Sequence, residues 1–271
     1  MPLAAPGNSC RRAAALLTVA VATLALGAGS ARADAPIVGV WSFSGGKVAI
    51  QAEPDGSFAG KVVSPTKFAE CAHPVGEEMW TGIRTQPDGS YWGSHQWFFA
   101  GSSCVPNPEP GPTAWRVLGN EKSRFLRVCF SEPGSAEQPA IAADGSAANA
   151  TFGCVDSARI SSLPKLSATK LARYVHMPRA KNCLGARRLR IHLHDPDNDP
   201  FEKIVVGLKS GSLRRIGRVH RHRHNAIAVL DLANLPRTSF TVSVKATTVL
   251  GHRISLHRRY RLCGTASRKA G

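Results

Sequence analysis

Catalytic signatures are missing from this 271-residue chain. It holds no G-x-S-x-G, no H-E-x-x-H and no paired-carboxylate pattern, which sets aside the commonest serine-hydrolase and zinc-protease chemistries. Acidic side chains are scarce: 18 Asp and Glu stand against 35 Lys and Arg, for a formal net charge of +17. After Gly27 no apolar stretch approaches the ~20 residues that a membrane-spanning helix needs. Helical periodicity is also lacking in the first half, where the brief stretch Thr66–Cys71 is the best helix candidate. What recurs instead is alternation and turn chemistry, the marks of an all-β chain.

The chain opens on an export signal. Arg11 and Arg12 precede an uncharged apolar run from Ala13 to Gly27, and Ala31-Arg32-Ala33 places small residues ahead of a cut before Asp34. Residues 1–33 therefore read as a secretory signal peptide. Ala follows the arginine pair where twin-arginine export favours Phe-Leu, so general secretion is the expected route. The Ala, Arg, Gly and Pro bias fits a GC-rich bacterial genome. Cys10 lies ahead of the apolar run and is not a lipoprotein cysteine. The six cysteines after the cut are expected as disulfides.

Charge divides the rest in two. Residues 34–161 carry 9 Lys and Arg against 13 Asp and Glu, whereas residues 162–271 carry 23 against 5. Eight of the ten histidines also lie in the basic part. At roughly 100–200 residues per domain, two domains with different partners follow. The expected division is an acidic β-barrel at 34–161, a linker or first strand at 162–178, a basic domain at 179–265 and a disordered tail at 266–271.

In the acidic part the candidate strands are Ile37–Phe43, Lys47–Ala52, Ser57–Val63, Met79–Arg84, Ser90–Phe99, Thr113–Leu118, Arg124–Phe130 and Ala150–Val155. Ser44-Gly45-Gly46, Pro54-Asp55-Gly56, Pro87-Asp88-Gly89, Gly119-Asn120 and Asp144-Gly145 punctuate them as turns. Eight short strands with local connections predict an up-and-down antiparallel barrel. The longer Cys-bearing segments, Ser64–Glu78 and Gly101–Pro112, are expected as loops over its open end. Cys71, Cys104, Cys129 and Cys154 allow three pairings. Cys71–Cys104, joining the two long loops, and Cys129–Cys154, on the last two strands, are the favoured pair.

Gly39-Val40-Trp41, at the start of the first strand, resembles the G-x-W opening of lipocalins and related small barrels. The resemblance covers roughly Ile37 to Val155 in architecture and only Gly39 and Trp41 in motif. It implies that Trp41 packs across the closed end of the barrel. In the basic part, strands are expected at Arg187–His194, Lys203–Leu208, Arg214–His222, Ala226–Leu232, Ser239–Thr247 and Arg253–Arg261. Phe240, Val242, Val244 and Ala246 alternate with Thr241, Ser243, Lys245 and Thr247, the period of a sheet with one buried face. With Leu235-Pro236 and Gly251 flanking it, this segment resembles the late strands of bacterial immunoglobulin-like and fibronectin type III-like modules. That likeness implies a seven-stranded β-sandwich, without the Cys…Trp…Cys pattern of antibody domains. Cys183–Cys263 is expected to tie its ends.

Several groups of side chains invite a chemical reading. Tyr91, Trp92, Trp97, Phe98 and Phe99 crowd one segment, with Trp80 and Trp115 nearby. Trp80, Tyr91, His95, Trp97 and Trp115 are the candidate lining for a small apolar ligand, set against a filled core. Glu70, Cys71, His73, Glu77 and Glu78 share one loop, but an oxidised Cys71 is neither nucleophile nor metal ligand. His220-Arg221-His222-Arg223-His224 alternates, so a strand would put its imidazoles on one side; a solvated basic edge is expected rather than a metal site. Asp195-Pro196-Asp197-Asn198-Asp199-Pro200 has Pro200 and Val206 where a calcium loop needs Gly and Glu, and reads as a solvated turn.

Arg214, Arg215, Arg218, Arg221, Arg223, Arg258 and Arg259 are the candidate contacts for an anionic partner. In an exported protein that partner is an anionic cell-envelope polymer or polysaccharide. Few aromatics accompany the arginines, which argues against nucleic acid. No cofactor and no metal are expected. The sequence thus predicts a secreted, non-catalytic binding or adhesion protein, an eight-stranded lipocalin-like barrel followed by an immunoglobulin-like sandwich, with carriage of a small apolar ligand as the alternative.

Overall fold

The computed structural model describes residues 34–99, 104–121, 123–179, 183–235 and 239–263. The expected signal peptide at 1–33 and the expected disordered tail at 266–271 lie outside the described residues. The first half closes into an eight-stranded antiparallel barrel of β1 (Gly39–Phe43), β2 (Gly46–Ala52), β3 (Phe58–Ser64), β4 (Glu78–Thr85), β5 (Tyr91–His95), β6 (Gly111–Leu118), β7 (Phe125–Phe130) and β8 (Gly153–Ser161). Each strand pairs with the next in sequence, and β8 returns to β1.

Local turns make this topology accessible. Ser44 and Gly45 both have positive φ, 45° and 82°, the combination whose twist suits a two-residue hairpin. Pro54-Asp55-Gly56-Ser57 and Pro87-Asp88-Gly89-Ser90 build the same turn twice. In each, the Asp carboxylate accepts hydrogen bonds from the Ser backbone N–H and hydroxyl two residues on. Those serine bonds, helped by Arg84 and Arg116, hold the Asp55 and Asp88 carboxyls below the usual range.

Two expectations shift. Gly153–Ser161 is the eighth strand, later and longer than Ala150–Val155, because it must pair with β7 on one side and β1 on the other. Thr66–Cys71 is not helical. Thr66–Phe68 pairs with Cys71–His73 across Ala69 and Glu70, whose φ values of 45° and 73° form a hairpin turn. The Thr66 hydroxyl donates to the Phe43 carbonyl and the Lys67 N–H to that of Ser44, so the top of β1 captures this segment as a ribbon.

One end of the barrel packs around Trp41. Its ring is fully buried, its Nε1–H donates to the Ile37 carbonyl at 2.8 Å, and the Arg159 guanidinium lies 5.4 Å from the ring centre. Arg159 also donates to the Pro36 and Val38 carbonyls. Gly39 makes this approach possible: at φ +153° a Cβ there would meet the Ser161 carbonyl at 2.9 Å and an Arg159 nitrogen at 3.1 Å.

The second half forms two four-stranded sheets. Its strands are β9 (Val175–His176), β10 (Arg188–His194), β11 (Phe201–Ser210), β12 (Leu213–Ile216), β13 (Arg218–His222), β14 (Asn225–Asp231), β15 (Ser239–Thr248) and β16 (Arg253–Arg261). The orders are β9-β10-β14-β13 and β12-β11-β15-β16. Leu189, Ile191 and Leu193 from one sheet and Val206, Leu208, Val242 and Val244 from the other share a single core. The segment Arg214–His222, expected as one strand, is two. It changes sheet at Gly217, where a Cβ would crowd Leu230 at 3.2 Å and the Val229 carbonyl at 3.3 Å. Ahead of β9, the short helix α1 (Ala168–Ala172) is capped by Ser167 and buries Leu171 in the same core.

All three disulfides are formed as expected: Cys71–Cys104, Cys129–Cys154 and Cys183–Cys263. The first staples the two long loops, the second joins directly opposed residues of β7 and β8, and the third links the ends of the sandwich. Outside the barrel, Val40, Ala49 and Val63 pack against Val249 of the sandwich, and Lys47 Nζ donates to Asn198 Oδ1 at 2.8 Å.

Candidate functional site

The five predicted lining residues do converge. Trp80, Tyr91, His95, Trp97 and Trp115 are all buried within the barrel. The rings contact one another and their neighbours: Trp80 lies 5.8 Å from Trp115 and 5.0 Å from Phe43, and His95 lies 5.4 Å from Trp97 and 5.0 Å from Phe130. Phe68, from the ribbon that the sequence suggested as helix, closes the top against His95, Trp97 and Phe130. Alternation holds at β5, where Tyr91 and His95 point inward and Trp92 is exposed.

This aromatic interior contains unspent polarity. Trp80 Nε1–H donates to His95 Nδ1 at 3.0 Å. Burial, and secondarily the neighbouring His73 ring, hold His95 well below histidine's ordinary range, so the ring is neutral and its proton sits on Nε2. Among the described residues that N–H has no partner, nor do the buried indole N–H groups of Trp97 and Trp115. His73, buried beside them, hydrogen-bonds through Nδ1 to Glu77 Oε1 at 2.9 Å.

Elsewhere the structure reassigns acidic groups to the scaffold. The Asp195–Pro200 segment is not a solvated turn, because Asp199 is fully buried. Asp199 accepts from the Leu250 N–H at 2.9 Å and binds His252 Nδ1 at 2.6 Å, while Asp195 accepts from the Phe201 N–H. Among the described residues, no group of three or more His, Cys, Asp or Glu is arranged to hold a metal ion.

The seven predicted arginines do not form one patch. Arg214 and Arg259 belong to the outer face of β12-β11-β15-β16, where a single row runs Arg214, Lys209, Thr241, Arg259. Arg218 lies on the outer face of the opposite sheet. Arg215, Arg221 and Arg258 sit at inward register positions on edge strands, and each spends its guanidinium on backbone carbonyls. Their acceptors are Asp231, Glu202, and Met177 with Pro178, respectively. Arg223 occupies a turn at φ 50°, which ends β13 before His224 and breaks the expected five-residue alternation.

Around Arg214 and Arg259, charge collects at five further positions on the same face. In cross-strand register, Lys203 opposes Thr247 and Arg253, and Val205 opposes Lys245 and Ser255; further along, Ser243 opposes His257, and Ser239 opposes Arg261. Lys203, Lys209, Arg214, Lys245, Arg253, Arg259 and Arg261 are all exposed on this one face. The four strands carry a single acid, Glu202, exposed at the β11 bulge between Phe201 and Lys203. A groove of about 540 Å³ crosses it, lined by Lys203, Val205, Lys245 and Arg253 among others. The alternation Arg253-Ile254-Ser255-Leu256-His257 was the available signal on one strand.

No protein-family model matches the chain, and no curated protein matches its sequence. No helix among the described residues is long and apolar enough to cross a membrane.

Proposed function

We propose that the protein is an exported, non-catalytic attachment protein whose basic half binds anionic cell-envelope polymer. One observation carries the reading: seven exposed cations share a sheet face whose four strands carry a single acid, Glu202 at the β11 bulge. Such a face offers a linear polyanion a continuous attractive field, and the inter-strand spacing of about 4.8 Å keeps the charges close enough to act together. The Cys-linked barrel is then the presented or protective half. Its likeness to lipocalins is supported by Gly39 and Trp41, and the likeness of the sandwich to immunoglobulin-like modules by its two packed sheets.

The test is retention on purified cell walls. Binding should fall steeply between about 0.05 and 0.5 M salt, as screening shortens the reach of exposed charges. Replacing Lys203, Lys245, Arg253 and Arg259 with Ser should reduce retention at least tenfold. Retention that ignores both salt and these substitutions rules the reading out.

The N–H donors of His95, Trp97 and Trp115, without a partner among the described residues, support a second reading, carriage of a small molecule in the barrel. They favour a ligand with hydrogen-bond acceptors over a purely apolar one. Mass spectrometry of organic extracts of the native protein tests it, and an extract with no stoichiometric small molecule rules it out.

A further inference from the structure

The sandwich has a second outer face of a different chemical kind. On β9-β10-β14-β13, cross-strand register places His176, His192, Ile227 and His220 in one row and His194, Asn225 and His222 in the next. A third row holds Arg190, Val229 and Arg218, and Arg188 opposes Asp231 at the end. Five exposed histidines from three strands therefore share a face with Arg188, Arg190, Arg218 and one carboxylate, Asp231. From the adjoining β12, Arg215 reaches the Asp231 carbonyl. His176 and His194 have ring centres 5.4 Å apart, and His194 Nδ1 is bonded to Asn225 Oδ1. An amide oxygen accepts from imidazole and imidazolium alike, so this contact permits protonation.

We propose that this histidine face is a second, acid-activated surface for phosphodiester-linked envelope polymer, and that in acid the protein bridges two polymer chains. The inference rests on the attachment reading and extends it. At neutral pH the strand positions of the histidine face sum to a formal +2, from Arg188, Arg190, Arg218 and Asp231; with its five imidazoles protonated the sum is +7, comparable with the seven cations and one carboxylate, Glu202, of the lysine–arginine sheet. Histidine is the side chain that changes charge between about pH 8 and 5. A bound polyanion favours the charged form of an imidazole beside it, so binding and proton uptake are linked. The two faces belong to opposite sheets of one core and point away from each other. One polymer chain on each face makes a bridge.

The experiment uses the full chain and poly(glycerol phosphate) of defined length, whose phosphodiesters stay ionised across the range, so any pH response belongs to the protein. Bound polymer per protein and light scattering are measured at pH 7.5 and 5.5. The expected result is a soluble complex at pH 7.5 and, at pH 5.5, about twice the bound polymer with a sharp rise in scattering. Calorimetry at pH 6.5 in two buffers should show uptake of more than one proton per complex. A variant with His176, His192, His194, His220 and His222 replaced by Asn should bind normally at pH 7.5 and lose the acid increment and the proton uptake. His220→Asn with His222→Asn, a lighter change, should lose part of both.

An unchanged acid increment in the five-fold variant, or no increment in the native chain, overturns the inference. Tighter binding to anionic lipid vesicles than to the polymer overturns the choice of partner. The attachment reading fails separately: it falls if the native chain binds no polymer at pH 7.5, and the histidine face stands if binding then emerges at pH 5.5 and vanishes in the five-fold variant.

Discussion

Acid should weaken the barrel through His95. The ring is fully buried, accepts from Trp80 through Nδ1 and is held neutral in the folded state by desolvation, with His73 adding to the effect. An unfolded chain exposes the same imidazole, which protonates near pH 6.5. Below that value the unfolded state binds a proton that the folded state refuses, so stability falls with pH until the folded-state pKa is reached. For a ring that stays neutral to pH 5.5, lowering the pH from 7.5 to 5.5 costs about 1.4 kcal/mol from this one residue.

The assay is urea unfolding at the two pH values for the native chain and for His95→Gln, whose amide oxygen can still accept from Trp80 but does not titrate. The variant should be less stable at pH 7.5, yet its loss on acidification should be smaller than that of the native chain by about 1.4 kcal/mol. Equal losses in both proteins would refute the buried neutral imidazole, as would a His95 ring whose NMR shifts titrate between pH 8 and 5.5.

Trp41→Ala should destabilise the barrel by about 3–5 kcal/mol, because the side chain is fully buried beneath Arg159 and bonded to the Ile37 carbonyl; near-unchanged thermal melting would show that the barrel does not depend on it. Replacing Cys183 and Cys263 with Ala removes a bridge that spans 80 residues. The sandwich should lose about 4 kcal/mol by loop-closure entropy, and non-reducing peptide mapping of the native chain should recover that bridge along with Cys71–Cys104 and Cys129–Cys154.

The barrel was legible because its information is local. Gly45, Gly56 and Gly89 mark turns between strands that pair with their nearest neighbours in sequence, and closure asks only that β8 meet β1. Cys129–Cys154 was legible for the same reason, since the two sit on consecutive strands of that order, and Cys183–Cys263 because the second half holds no other cysteine. Distances along the chain sufficed to say all-β, eight strands and three bridges.

The faces of the sandwich were not legible in this way, because they depend on register between segments far apart in sequence. Runs such as Arg214-Arg215 and Arg258-Arg259 looked like a single basic patch, but adjacent residues on a strand point to opposite sides. The structure sends Arg215 and Arg258 to carbonyls at the sandwich edges and leaves Arg214 and Arg259 in one outer row. Gly217 moves the chain from one sheet to the other, which separates Arg214 from Arg218. By itself, the sequence determined composition, turn positions and strand alternation, all properties of neighbouring residues. Only tertiary structure decided which cations share a surface, which histidines gather on the other, and which buried N–H groups are left without acceptors. Those depend on which strand lies beside which, and core packing settles that.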